Sequence, residues 1–201
     1  MISFIIATYG EEYWEEMAQH RALPSVQRIE QNHEIIIGHD PEGTIAQVRN
    51  SLADEATGEW LCFLDADDEL DQSYAQAMEE AAQPDFLLTP RVMQIINGRR
   101  RRAQFYRQVS LLSGNWLIVG TLVERSLFEK VGGFGEYPHG FEDWSLWYKC
   151  TRVGAKVKKV PAAIYVQHVN PDSKHRQGWR DREYQVSTHL RVQAELEAWT
   201  P

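Results

Sequence analysis

The chain has 201 residues, 43% of them apolar, which is enough for one compact domain with its own core. Its formal net charge of −8, with no long basic face, argues against nucleic acid as the main partner. The two cysteines, Cys62 and Cys150, lie far apart in apolar or helical patterns, so we predict buried thiols and a reducing compartment. Neither a signal peptide nor an apolar run of about 18 residues is present, so we expect a cytoplasmic protein without a membrane span.

The first third of the chain alternates between strand and helix patterns. Three apolar runs predict buried strands, namely "ISFIIATY", "HEIIIGHD" and "EWLCFLD". A helix is predicted over "EEYWEEMAQHRAL", and a second begins after Thr44 as N-cap and closes near Gly58. This β-α-β-α-β order is typical of an open, doubly wound α/β sheet, in which ligands bind beyond the carboxyl ends of the strands.

The rest of the chain continues with strands and short helices. A helix is predicted from about Asp71 to Ala82, strands over "FLLTPRVMQII", "LIVGTLVE" and "KVKKVPAAIYVQHV", and a helix over "GFEDWSLWYKCTRVG". "SLFE" predicts a capping box in which Ser126 caps and Glu129 reaches back. "NG" at 97–98 predicts a hairpin, so the following run Arg99 to Arg102 is an exposed loop or, as a sharper option, a contact for an anionic acceptor.

Four acids follow the third predicted strand within "EWLCFLDADDEL". If the strand continues through residue 67, Asp65 and Asp67 point to one side and Asp68 to the other. Two carboxylates on one side suit Mg²⁺ or Mn²⁺, which usually takes one or two protein carboxylates and completes its shell with water and substrate phosphates. The simpler alternative is a solvated turn before a helix.

Three other acid motifs do not fit this spacing. A calcium-binding EF-hand loop counted from Asp65 would need glycine and glutamate where Leu70 and Gln76 stand. A phosphatase of the haloacid dehalogenase kind continues its motif with threonine or valine, whereas Glu69 follows here. A sugar-nucleotide pyrophosphorylase has a glycine-rich phosphate loop after its first strand, and "ATYGEEYW" is no such loop.

Several segments, in this order and spacing, make the chain similar to glycosyltransferase family two: "ISFIIATYG", "EIIIGHD", "VRNSLADEATGEWLCFLDADD", "VERSLFEKVGGF" and "GFEDWSLW". The resemblance runs from about residue 2 to 173. It implies a GT-A fold, a Rossmann-like sandwich with a mostly parallel central sheet flanked by helices. Residues 1–90 would form the nucleotide-sugar-binding half and 91–201 the acceptor-binding half of one domain, with a mobile segment near 170–180.

The resemblance assigns the donor site to the ends of the first strands. Thr8 and Tyr9 would line the nucleobase and ribose, Arg49 would approach the base, and Asp65 would hold the ribose. Asp67 would bind the metal, Mn²⁺ or Mg²⁺, that bridges the diphosphate.

Two departures from the family pattern bear on the donor. Ala7 stands where the family usually has proline, and "HD" replaces two acids at the end of the second strand. His39 therefore takes the place of a residue that often contacts uracil, and Asp40 becomes the better candidate contact. UDP is still the expected nucleotide.

The catalytic base is expected in the pair Glu142 and Asp143. Inversion in one displacement needs a carboxylate to take the proton of the acceptor hydroxyl, while a metal stabilises the leaving diphosphate. Neighbours on a helix point about 100° apart, so only one should reach the acceptor, and the resemblance favours Asp143. Phe141 and Trp144 could desolvate the pair and raise its proton affinity. The simpler alternative is an acidic first turn of a helix.

The last strand and the tail offer further ligands. His168 ends the last apolar strand, where family members often have a histidine that completes the metal shell, although such a residue can also be a simple surface histidine. Lys174 and Arg176 in "SKHRQ" could contact the phosphates. Trp116 and Trp147 could stack on sugars or belong to the core.

The predicted function is an inverting, metal-dependent transfer of a single sugar from a nucleotide-diphosphate donor to a hydroxyl of a glycan, a lipid-linked or a protein acceptor. A processive synthase is disfavoured because the chain has "QGWR" rather than a Gln-x-x-Arg-Trp motif, and no membrane span. Two alternatives remain at this point: a non-catalytic nucleotide-sugar-binding module, and a metal-dependent phosphotransferase using the same acids. The sequence leaves the sugar, the linkage and the oligomeric state open.

Overall fold

The computed structural model describes residues 1–137, 140–169 and 182–200, which form an α/β fold. In chain order the elements are β1 (Ile2–Tyr9), α1 (Glu12–Met17), a π-helical turn (Ala18–Ala22), α2 (Leu23–Gln27), β2 (His33–Asp40), α3 (Ile45–Glu55), β3 (Trp60–Leu64), β4 (Glu69–Leu70), α4 (Tyr74–Ala81), β5 (Phe86–Ile96), β6 (Arg99–Arg100), β7 (Val123–Glu124), α5 (Arg125–Lys130), α6 (Glu142–Arg152), β8 (Lys156–His168) and α7 (Arg182–Ala198). The expected mobile segment near 170–180 lies outside the described residues.

The first sheet contains the strands predicted from the apolar runs. Its order is β2-β1-β3-β7, with β1 parallel to β2 and β3, and β7 antiparallel to β3. β3 is buried along its whole length, as is β1 up to Thr8, because both lie inside the sheet with helices over its faces. Tyr9 pairs with Asp40, and Ile6 with Leu64, so the carboxyl ends of β1, β2 and β3 meet at one edge.

The second sheet has the order β4-β8-β5-β6 and is built on two long parallel strands. β5 and β8 pair from Phe86 with Lys156 to Ile95 with His168, with one irregularity between Pro90 and Arg91. β4, which begins at the fourth of these acids, Glu69, pairs antiparallel with the end of β8. The acids are therefore held between the end of β3 in one sheet and the end of β8 in the other.

Local sequence signals explain α3 and the hairpin. Thr44 caps α3 in a full capping box with Gln47, confirming the predicted start. Asn97 and Gly98 both have positive φ (50° and 72°) and connect β5 to β6, as the "NG" pair predicts. Gly58 does not cap α3, which ends at Ala56 in extended conformation. A side chain at Gly58 would instead collide with Ser3, whose backbone nitrogen lies 2.9 Å from the position of a Cβ.

Two further local predictions are wrong. "LIVGTLVE" forms a strand only at Val123–Glu124, because Gly120 is packed against the ring of Tyr165 and its carbonyl accepts a hydrogen bond from Tyr74. Ser126 does not cap α5, which begins at Arg125; its hydroxyl donates to the side chain of Glu124 (2.6 Å).

The core confirms the expected state of the cysteines. Cys62 and Cys150 are both free and buried. Burial raises the pKa of each thiol to about 12, so both are inert at neutral pH. In the part of the chain that the structure describes, no helix is long and apolar enough to cross a membrane.

Candidate active site

The strand β3 ends before the first of the four acids, earlier than the strand pattern predicts. β3 ends at Leu64, and the backbone N–H of Asp68 donates to the carbonyl of Asp65 (3.1 Å), which closes a turn. The predicted strict alternation of Asp65 and Asp67 through an extended strand is therefore wrong. We call residues Asp65–Asp68 the acid turn.

The carboxylates of the acid turn influence one another. Burial, and then the negative charge of Asp65, raise the pKa of Asp67 to about 6. Arg21 opposes this effect, and its guanidinium donates to the backbone carbonyl of Asp67 (2.8 Å) rather than to its carboxylate. The Asp67 carboxylate thus remains a hard oxygen donor that a cation can bind.

Asp68 joins the acid turn to the end of β8. It is buried, and its Oδ1 accepts a hydrogen bond from the backbone N–H of His168 (2.7 Å). Burial and the charges of Asp65 and Asp67 raise the pKa of Asp68 well above its ordinary value. The Nε2 atom of His168 lies 2.7 Å from Glu69 Oε1, so in this structure the ring is paired with a carboxylate next to the turn. A metal-binding role for His168 stays a prediction.

Arg49 is the central side chain of the site. Its guanidinium donates to Asp65 Oδ1 (2.6 Å) and to Glu142 Oε1 (2.7 Å), and it lies over the ring of Phe134 at 5.1 Å. Only 6% of its side chain is exposed, so Arg49 is not a solvent-facing charge of α3. Burial lowers the pKa of this group, but the charges of Asp65 and Glu142 outweigh that effect and keep it protonated. Whether Arg49 also approaches the nucleobase stays a prediction.

The two acids at the start of α6 have different surroundings. Glu142 is buried; one of its oxygens binds Arg49, and the other, Oε2, has no hydrogen-bond partner among the described residues. Asp143 is partly exposed and accepts hydrogen bonds from Asn115 Nδ2 (2.9 Å) and from the backbone N–H of Trp144 (2.7 Å). Desolvation, and then the charge of Glu142, raise the pKa of Asp143 to about 7, although Arg49 opposes the shift.

The predicted nucleotide residues lie at the carboxyl ends of β1 and β2. Thr8 is buried, and its hydroxyl lies 3.0 Å from His39 Nδ1 and 3.3 Å from the carbonyl of Gly38. The neighbouring pair, Tyr9 and Asp40, is more open, and Asp40 accepts the backbone N–H of Glu42 at 3.0 Å. Thr8 therefore positions His39, and Asp40 keeps an exposed carboxylate at the edge.

Sequence reasoning missed Arg21 and Asn115, because each reaches the site from a segment with no motif of its own. It also missed Phe134, which ends the segment "VERSLFEKVGGF" but carries no polar group that would mark it as part of a site. Trp116 and Trp147 are buried and belong to the core, which rules out sugar stacking for Trp147 at 0% exposure. Lys174 and Arg176 lie outside the described residues.

The parallel strands β1, β2 and β3 end at one edge, next to the acid turn, which is where open α/β sheets bind their ligands. Residues 21–139 match the family model "Glycosyl transferase family 2", and the chain belongs to this family. No curated protein matches the chain in sequence.

Solved structures share the fold at low sequence identity. S. aureus TarS 1-349 in complex with UDP-GlcNAc is 16% identical with a TM-score of 0.71, covering 97% of this chain and 66% of that one. The mannosyltransferase PcManGT from Pyrobaculum calidifontis, in complex with GDP-Man and Mn²⁺, is 15% identical with a TM-score of 0.65, covering 100% and 65%. GalNAc-T7 with UDP, GalNAc and Mn²⁺ is 16% identical with a TM-score of 0.65, covering 96% and 47%. The chain thus spans at most about two thirds of these chains.

Proposed function

We propose that the protein is an inverting, metal-dependent glycosyltransferase that moves one sugar from a nucleotide-diphosphate donor, a UDP-sugar, to a hydroxyl of an acceptor. The observation that carries the proposal is the link from Asp65 through Arg49 to Glu142. It joins the acid turn of the donor side to the start of α6, where the neighbouring Asp143 is partly exposed. The proposed proton acceptor, Asp143, and the acid turn that would bind the sugar donor are thereby connected through the two ion pairs of Arg49.

The donor is assigned to the edge where β1, β2 and β3 end. Thr8, Tyr9 and Asp40 offer polar groups there for a base and a ribose, as expected for ligands of open α/β sheets. UDP is supported by the structures of TarS and GalNAc-T7 with uridine nucleotides, whereas PcManGT holds GDP-Man. His39 is engaged with the hydroxyl of Thr8 (3.0 Å), which supports the exposed Asp40 as the contact for the base.

The acid turn fits a divalent cation. Asp67, with Asp65 beside it, supplies the hard oxygen ligands that Mg²⁺ and Mn²⁺ prefer. In the described part of the chain, no three His, Cys, Asp or Glu side chains are grouped to hold a metal by themselves. This accords with a cation that takes one or two protein carboxylates and completes its shell with substrate phosphates and water. When bound, the metal would neutralise the charge that grows on the leaving diphosphate.

Asp143 is assigned the role of general base. A base that works near neutrality needs a pKa close to the working pH, and the pKa of Asp143 is raised to about 7. The amide of Asn115 holds one carboxylate oxygen in place. The acceptor hydroxyl gives its proton to Asp143 while the hydroxyl oxygen attacks the anomeric carbon from the side opposite the diphosphate. The bond from the anomeric carbon to the diphosphate oxygen breaks, the nucleoside diphosphate leaves with the electron pair, and the carbon is inverted.

Glu142 is assigned a positioning role. One of its oxygens is bound to Arg49, and the side chain is buried, so it is poorly placed to receive the proton of an acceptor. Its negative charge also helps to raise the pKa of Asp143. Both acids thus serve the same proton transfer, one directly and one through its neighbour.

The test compares Asp143→Asn with Glu142→Gln. Asp143→Asn is nearly isosteric, so donor affinity measured by calorimetry should change little, while kcat should fall by about 10² to 10⁴. Glu142→Gln should reduce kcat less. The acceptor for the assay comes from a screen of nucleotide sugars and hydroxyl compounds. If Asp143→Asn keeps most of its kcat while Glu142→Gln loses it, the two roles are exchanged; if no nucleotide sugar binds the wild type, the proposed function is wrong.

A further inference from the structure

Four consecutive arginines, Arg99 to Arg102, form an exposed basic cluster on a protein of net charge −8. We call them the arginine hairpin: the first two form β6, and the next two continue the returning chain. None of their guanidinium groups makes a hydrogen bond or an ion pair with residues 1–137, 140–169 or 182–200. Other arginines do have such partners, namely Arg21, Arg28, Arg49, Arg125 and Arg191.

The arginine hairpin lies at the same edge of the fold as the acid turn. Arg100 pairs with Ile95 in β5, and Ile95 pairs with His168 in β8. Two strand spacings separate the backbones of Arg100 and His168, which is about 10 Å. His168 in turn donates its backbone N–H to Asp68 of the acid turn. The hairpin therefore borders the proposed active site.

The returning chain keeps the arginines along this edge. The backbone N–H of Arg101 donates to the carbonyl of Gln94 (2.8 Å), and Gln104 pairs with Val92. The backbone that carries the arginines is thus held by sheet hydrogen bonds at this edge. Like charges at adjacent positions repel one another, and a bound anion would relieve this repulsion.

The chemistry of the side chain indicates which anion. The planar guanidinium group binds phosphate oxygens in bidentate fashion, and a local positive field also draws an anion towards a protein whose net charge would otherwise repel it. We propose that the arginine hairpin binds phosphate groups of the acceptor, which makes the acceptor a phosphate-bearing molecule. That the phosphate-bearing molecule is the acceptor rests on the proposed function, whereas the phosphate site itself does not.

A membrane surface is the less favoured partner for this cluster. Binding in the plane of a membrane usually combines basic residues with large apolar side chains that enter the lipid. Within the described residues, the exposed large apolar side chains are Met1, Tyr13, Val109, Val186 and Leu190, and none of them lies in the hairpin. Because the hairpin has positive charge but no apolar anchor, a soluble phosphorylated molecule is a better partner for it than a membrane surface.

The test uses two variants that each lose four positive charges. The hairpin variant combines Arg99→Gln, Arg100→Gln, Arg101→Gln and Arg102→Gln. The control variant combines Lys130→Gln, Arg152→Gln, Lys156→Gln and Arg191→Gln, which are also exposed. Lys156 begins β8, at the opposite end from His168. Circular dichroism and thermal unfolding check that both variants fold.

The probe is a short inorganic polyphosphate, titrated by calorimetry at about 50 and 150 mM salt. We expect the wild type to bind it more weakly at the higher salt. The hairpin variant should raise the Kd at least about tenfold, and the control variant less than about twofold. Vesicles of phosphatidylglycerol and of phosphatidylcholine are the membrane arm, and we expect no hairpin-dependent binding to either.

Several results would overturn the inference: no binding of polyphosphate by the wild type, equal weakening in both variants, or binding that survives the hairpin substitutions because polyphosphate occupies the donor site. Hairpin-dependent binding to phosphatidylglycerol vesicles without binding to polyphosphate would assign the cluster to a membrane instead. Titration of UDP with Mn²⁺ separates this inference from the proposed function. If the wild type binds polyphosphate through the hairpin but does not bind UDP, the donor assignment is refuted. If the wild type binds UDP but the hairpin variant binds polyphosphate as tightly as the wild type does, the phosphate site is refuted.

Discussion

Replacing Arg49 by methionine should destabilise the protein more than any exposed charge substitution. The change keeps an unbranched side chain of similar length but removes the positive charge between Asp65 and Glu142. Glu142, whose side chain is 12% exposed, would then be a buried carboxylate without a countercharge. Asp65 is 39% exposed, so water can replace the guanidinium there.

The magnitude follows from this difference in burial. Breaking a buried ion pair by removing one partner costs about 3–5 kcal/mol, and here most of that cost falls on Glu142. For a domain of this size, 1 kcal/mol corresponds to about 2–4 °C in Tm, so Arg49→Met should lower Tm by roughly 6–20 °C. Arg28→Met is the matched control, because Arg28 pairs with Glu69 at 3.4 Å with half of its side chain exposed. It should cost at most about 1 kcal/mol.

A second substitution tests whether the isolated charge is the cause. Arg49→Met combined with Glu142→Gln removes both buried charges, so its free energy of unfolding should recover to within about 1–2 kcal/mol of the wild type. Urea unfolding monitored by tryptophan fluorescence measures all four proteins. A loss below about 1 kcal/mol in Arg49→Met, or a double variant no more stable than Arg49→Met, would refute the reasoning.

Three predictions concern the chemistry, and a fourth concerns the pH dependence of stability. Asp67→Ala should weaken the Mn²⁺-dependent binding of UDP at least about tenfold by calorimetry, and equal affinity in both proteins would contradict the metal assignment. Competition among UDP, GDP, TDP and CDP should favour UDP, and a preference for GDP above about tenfold, or 1.4 kcal/mol, would overturn that choice. Because the pKa of Asp143 is raised to about 7, kcat should fall as the pH drops below 7, and a flat profile between pH 5 and 8 would argue against Asp143 as base. The same raised pKa means that Asp143 contributes stability which is present below about pH 4 and is lost as the pH rises through 7, so Asp143→Asn should gain stability relative to the wild type at pH 8 but not at pH 4.

The elements that the sequence predicts well are those with local signals. β1 and β3 are nearly continuous apolar runs, and β2 is marked by the three isoleucines Ile35–Ile37, although as an edge strand it is only partly buried. The start of α3 is encoded within four residues by Thr44 and Gln47. The hairpin after β5 needs only Asn97 and Gly98. Each of these features depends on residues that are close in the chain, so no knowledge of the packing is required.

The features that the sequence does not predict depend on contacts between distant residues. Arg49 and Glu142 are 93 positions apart, and nothing in the α3 pattern distinguishes a buried arginine from a surface one. The acid turn bends away from the strand direction because Asp68 bonds to the backbone of His168, which is 100 positions away. The strand predicted over "LIVGTLVE" is shortened by the packing of Gly120 against Tyr165.

The start of α6 shows how the fold separates the roles of the two acids. Gly140 and Phe141 both have positive φ (95° and 74°), and for phenylalanine this left-handed conformation costs about 1–2 kcal/mol. Such strain persists only where the surroundings enforce it; here the Phe141 ring packs against Trp144, and its carbonyl accepts the N–H of Ser145. The left-handed conformation of Gly140 and Phe141 ends the preceding segment, and Glu142 is the first residue of α6. Since successive helical side chains point about 100° apart, Glu142 then meets Arg49 inside the protein while Asp143 meets Asn115 near the surface. A start of α6 displaced by one residue would place Asp143 where Glu142 now meets Arg49, so the strained Phe141 keeps Asp143 near the surface, where the proposed proton transfer requires it.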